Sequence, residues 1–100
     1  MGHSKDKPML RYRQGTGAER LFAIEESLRI GRHPYNEVSV GDKSMSRYHC
    51  WVSKFKTEVV IEDLGSSNGT YVNGTVIHKP TVLQRGDRVK IGSSLFEFGS

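Results

Sequence analysis

Gly65-Ser66-Ser67-Asn68-Gly69-Thr70-Tyr71-Val72-Asn73-Gly74-Thr75 reads as turn, strand, turn. Asn-Gly supplies positive φ at little cost, so Asn68-Gly69 and Asn73-Gly74 are each expected to close a tight turn beside the short strand Thr70–Val72. Outward from this stretch the hydrophobic period stays at two. Arg29 and Gly31 alternate with Leu28 and Ile30. Val38-Ser39-Val40, Cys50-Trp51-Val52, residues 58–62, Val89-Lys90-Ile91 and residues 95–98 are short runs rich in Val, Ile, Tyr and Phe. Turn signals separate them at residues 15–17, 33–36, 41–42, 65–69, 73–74, 85–87 and 92–94. Many short strands with frequent turns predict an all-β sandwich. Only residues 18–28 carry a helical alternative. Leu21, Ile24 and Leu28 have helical spacing, but Leu21-Phe22-Ala23-Ile24 suits a strand equally well, and a strand is the expectation.

One hundred residues make one domain. Residues 9–98 form it. The polar residues 1–8 read as a disordered tail or tag remnant, and residues 99–100 as terminal. No apolar run is long enough to span a membrane, and no signal segment opens the chain. Cys50 is the single cysteine, alternates with apolar neighbours and has no metal-ligand spacing around it, so it is expected in the core. These features point to an intracellular protein, nuclear or cytoplasmic. Net charge is +4, which suits an anionic partner. The basic residues are scattered, without a stripe or a recognition helix, so direct nucleic-acid binding is not expected.

Three constellations could carry chemistry. Arg32 follows Gly31 at the end of an apolar strand, where a guanidinium offers a fork matched to phosphate or carboxylate. Residues 42–49 form a polar loop containing Ser46-x-x-His49. That pair alone is poor evidence of catalysis, because a nucleophile needs an aimed base, an orienting acid and oxyanion donors. A hydroxyl and an imidazole that hold a loop together are the better reading. Residues 65–70 are rich in glycine and hydroxyls and can turn N–H groups toward an anion. They are not a P-loop, since no Gly-Lys-Ser/Thr follows, and Gly15-x-Gly17 lacks a third glycine.

Gly31-Arg32, Ser46-x-x-His49, Asn68-Gly69-Thr70 and Asn73-Gly74, in that order and interleaved with short strands, resemble the forkhead-associated (FHA) family over nearly the whole of residues 9–98. The resemblance implies a sandwich of about eleven strands in two sheets, with binding loops at one end. It implies a module that recognises phosphothreonine in partner proteins, with no catalytic residues, no metal and no cofactor. An alternative within the family is a scaffold for phospho-independent contacts. By this resemblance Arg32 and Ser46 contact phosphate, and Arg47 contacts phosphate or peptide backbone. Ser67 and Asn68 hold phosphate or the peptide main chain, while Gly31, His49, Gly69 and Thr70 support the loops. Lys43 and Ser44 lie where the family reads a residue beyond the phosphothreonine, and Lys43 would suit an acidic one. The isolated domain is expected to be monomeric. Thr16 is a candidate phosphosite that nothing else marks.

Overall fold

The computed structural model describes residues 7–13 and 17–99; Gly15 and Thr16 fall outside them. The described residues contain no helix. Their eleven strands are β1 (Met9–Arg13), β2 (Glu19–Ala23), β3 (Ser27–Gly31), β4 (Val38–Ser39), β5 (Cys50–Phe55), β6 (Glu58–Asp63), β7 (Thr70–Val72), β8 (Thr75–Val76), β9 (Thr81–Val82), β10 (Arg88–Ile91) and β11 (Ser94–Gly99). One sheet runs β2-β1-β11-β10-β7-β8 and the other β4-β3-β5-β6-β9. Every pairing is antiparallel except β3 with β4.

The period of two decides which side chains meet. Leu10 and Tyr12 of β1, Val89 and Ile91 of β10, and Phe96 and Phe98 of β11 point inward from the first sheet. Leu28 and Ile30 of β3, Cys50 and Val52 of β5, and Val59 and Ile61 of β6 meet them from the second. Tyr12 and Phe96, cross-strand partners on β1 and β11, stack on the inner face of the first sheet with ring centroids 4.9 Å apart. Burial pushes the Cys50 thiol well above its ordinary range, helped by the nearby Asp63 carboxylate, and so keeps it inert.

Residues 18–28 are β2, a turn and the start of β3 rather than a helix. Leu21 faces solvent on the edge strand, whereas Ile24 and Leu28 are buried, so the three do not share a face. The two Asn-Gly pairs behave differently. Asn73 and Gly74 both take positive φ, 52° and 85°, and join β7 to β8 in a two-residue turn. At the other pair only Gly69 is left-handed, at 85°; Asn68 belongs to a longer loop from β6 to β7, and no hairpin forms there. One tight turn has no glycine or asparagine signal: Lys56, at φ 60°, links β5 to β6.

Candidate phosphopeptide-binding site

The end of β3, the β4–β5 loop, the β6–β7 loop and the β10–β11 turn gather at one end of the sandwich. Gly31 is where the first two meet. A Cβ there would collide with the carbonyl oxygen of Arg47 and crowd the Asn36 amide, so glycine alone lets the two backbones close. They are then laced together. The Arg32 N–H donates to Ser46 O at 3.0 Å, the His33 N–H donates to Arg47 O at 3.1 Å, and Arg32 Nε donates to Met45 O at 2.9 Å. The guanidinium of this exposed residue is thereby aimed by one nitrogen, which leaves its Nη groups as further donors.

His49 is fully buried and holds three segments. Its Nδ1 accepts the Ser46 backbone N–H at 3.0 Å, so its Nε2 carries the proton and donates to Gly69 O at 2.8 Å. Its backbone N–H bonds Ile30 O. The imidazole therefore addresses the Ser46 main chain and not the Ser46 hydroxyl, which rules it out as a base for that hydroxyl in this geometry. The hydroxyl instead accepts the Ser67 N–H at 3.0 Å and keeps its own proton to donate.

Two carboxylates brace the loops, and neither faces the rim. Asp63, at the end of β6, receives the Ser66 and Thr70 hydroxyls at 2.6 and 2.7 Å and the N–H groups of Gly65 and Ser66. Burial alone would raise its pKa; these bonds overcome that and hold it below the ordinary value. Asp42 is held down in the same way, well below the carboxylate range. Burial opposes, and bonds from Ser44, Ser94 and Ser93 win. It ties the β4–β5 loop to the β10–β11 turn of the other sheet, where Gly92 leaves no room for a Cβ against Met45 N.

Both carboxylates bind protons more weakly folded than unfolded, so their contribution is complete above the unfolded carboxylate pKa of about 4 and drains away as pH falls below it. Urea midpoints are expected to stay level from pH 7 to 5 as far as these groups decide, and to drop steeply below about pH 4. An Asp63→Asn variant should show a shallower acid limb. A midpoint that holds to pH 2.5 would contradict the bracing role.

Arg32, Ser46, Arg47, Ser67 and Asn68 all stand on the rim these braces support. Asn68 Nδ2 donates to Ser44 O at 2.8 Å, which joins the two loops and leaves its Oδ1 as an acceptor. Ser44 spends its hydroxyl on Asp42 and turns no free hydroxyl outward. Lys43 is exposed on the same loop. Among the described residues, Arg32, Lys43 and Arg47 form no ion pair, so the rim is cationic. Thr70 and Gly69 lie behind it, the first buried and the second left-handed. Asp42, Asp63 and the buried Asn36, whose Nδ2 bonds His33 O and Arg47 O, were not marked by sequence reasoning. The Asp63-x-x-Ser66 and Asp42-x-Ser44 spacings, both self-bonding loop patterns, were the available signals.

A family model described as FHA domain matches residues 28–92. The chain belongs to the FHA family. This FHA domain is 34% identical over 85 residues to the glycogen accumulation regulator GarA of Mycobacterium tuberculosis. The match covers 84% of this chain and 52% of GarA, so the chain spans about half the length of that relative. The FHA domain of the CT664 protein from Chlamydia trachomatis superposes with a TM-score of 0.89 at 28% identity, covering 94% of this chain and 97% of that one. A structure from an analysis of phosphothreonine-dependent FHA domain interactions gives a TM-score of 0.83 at 28% identity, covering 92% and 94%. Among the described residues no cluster of His, Cys, Asp and Glu could hold a metal ion, and no helix is long and apolar enough to cross a membrane.

Proposed function

We propose that this FHA domain binds phosphothreonine segments of partner proteins at the loop end of its sandwich and does so without catalysing a reaction. The observation that carries the reading is the convergence of the Arg32 guanidinium, the Ser46 hydroxyl and Arg47 on one rim, each fixed by a bond to its neighbour loop. A phosphothreonine brings about −1.5 to −2 charge at pH 7 and three acceptor oxygens. Arg32 grips two of these with its fork, Ser46 donates its hydroxyl, and Arg47 adds a second cation. Ser67 and the free Oδ1 of Asn68 hold the peptide main chain, and Lys43 favours an acidic residue further along. Charge-assisted bonds contribute about 1.5–3 kcal/mol each, and two or three of them supply much of the roughly −8 kcal/mol of a micromolar complex. The relatives support this: one is named a regulator and another was studied for phosphothreonine-dependent interactions.

Calorimetric titration of a phosphothreonine peptide library, repeated after phosphatase treatment, tests the reading. Micromolar binding that disappears on dephosphorylation is expected. Binding that survives the phosphatase would instead assign the domain to phospho-independent contacts.

A further inference from the structure

The two sheets end in four edge strands among the described residues, and three of them are blunt. β4, β8 and β9 are each two residues long, too short to template another strand. β2 is different. Its five residues, Glu19–Ala23, pair with β1 in unbroken register, contain no proline or lysine, and meet no other strand among the described residues. The Ile24 N–H bonds Pro8 O, and bonded pairs alternate along an antiparallel ladder, so Phe22 and Arg20 also spend their backbone groups on β1. The N–H and C=O groups of Glu19, Leu21 and Ala23 therefore point out of the sheet edge. Charge does not guard that edge. Glu19 is neutralised by Arg11 at 3.0 Å and Arg13 at 3.8 Å, Arg20 lies over the Phe22 ring at 5.0 Å, and Leu21 is 54% exposed.

We infer that β2 is a self-association edge, which pairs antiparallel with β2 of a second copy of this chain about a two-fold axis at Leu21. The strand is complementary to itself in that register. Leu21 meets Leu21 of the second copy as a bonded pair, and Glu19 meets Ala23 on either side of the axis. Every outward N–H and C=O of these three residues then finds a partner. The exposed Leu21 side chains meet on the outer face. Arg20 stands opposite Phe22 on the other, so the cation–ring contact that each strand makes within itself can also form across the axis. No like charges stand opposite one another. This match favours a second copy over an unrelated strand, because it needs no chemistry beyond what β2 presents. A five-residue edge makes a small interface, so the pair is weak and depends on concentration. The single copy expected from the family resemblance is its dilute form. β2 begins at the loop end of the sandwich, so antiparallel pairing turns the two cationic rims to opposite ends.

Sedimentation equilibrium of the full chain, from micromolar to millimolar concentration, tests the inference. The weight-average mass should climb toward twice that of the monomer at the top of the range. Hydrogen exchange at the two extremes should show the Glu19, Leu21 and Ala23 amides slowing about fivefold on association. Leu21→Lys sets two like charges at the axis and should raise the concentration needed for pairing about tenfold. Leu21→Pro, which removes an N–H that β1 does not use, should weaken pairing similarly. Lysine at this exposed position leaves the core intact, so its result stands even where proline disturbs the strand. Val82→Lys, on the blunt edge strand β9, should change nothing. A monomer mass at millimolar concentration, or pairing as strong in Leu21→Lys as in the wild type, would overturn the inference. An equal loss in Val82→Lys would do the same.

Discussion

An Arg32→Ala protein is expected to bind its phosphothreonine peptide about 10- to 150-fold more weakly, the equivalent of one charge-assisted interaction of roughly 1.5–3 kcal/mol. Arg32 is the rim cation whose direction is set by a bond of its own side chain, from Nε to Met45 O. Alanine removes the fork and frees that carbonyl, yet touches no buried side chain. The thermal midpoint should therefore fall by less than about 8 °C, the effect of losing one ordinary hydrogen bond in a domain of this size. Arg32→Lys should recover part of the affinity, because it restores the charge without the paired donors. Isothermal titration of the three proteins with one peptide separates these outcomes. Equal affinities for wild type and Arg32→Ala would remove Arg32 from the phosphate cradle.

His49→Ala should act in the opposite way, through stability first. The side chain is wholly buried, and its loss leaves the Ser46 N–H without an acceptor and Gly69 O without a donor. Each orphaned buried group costs about 1–3 kcal/mol, and the vacated space adds to that, for a total of about 3–5 kcal/mol. The expected fall in thermal midpoint is roughly 15–30 °C. Urea denaturation at constant slope would measure it. A loss below about 1 kcal/mol would show that the imidazole is not the brace between the loops. Binding should weaken as well, since Ser46 and the β6–β7 loop are positioned by the two ring nitrogens.

These two residues illustrate what could be read in advance. Arg32 and His49 were both legible as motif members, and so were the strands, because a period of two is a local property of neighbouring side chains. The divergent behaviour of the two Asn-Gly pairs was not legible. Asn73-Gly74 has partner strands on both sides in register, Tyr71 with Val76 and Val72 with Thr75, and becomes a hairpin turn. Asn68 is drawn to the carbonyl of Ser44, 24 positions away, and its loop stays open. The left-handed Lys56 was hidden for a related reason: pairing of Phe55 with Glu58 imposes a tight turn on residues that do not favour one. The roles of Asp42 and Asp63 exist only in the closed fold, because their partners Ser93, Ser94 and Thr70 lie on other segments.

The sequence by itself determined that this chain is an all-β domain, that Cys50 is a core residue, and that its loops carry a cation, a hydroxyl and an amide in the FHA order. Alternation, turn chemistry and residue type are written locally, so they need no knowledge of where distant segments meet. The tertiary structure decided what each polar group is left free to do. Only folding could show that the His49 nitrogens are spent on Ser46 N–H and Gly69 O, that the carboxylates turn inward, and that Arg32 keeps its outer donors. Hydrogen-bonding capacity is finite, and which atoms remain for a ligand depends on bonds between residues far apart in the chain.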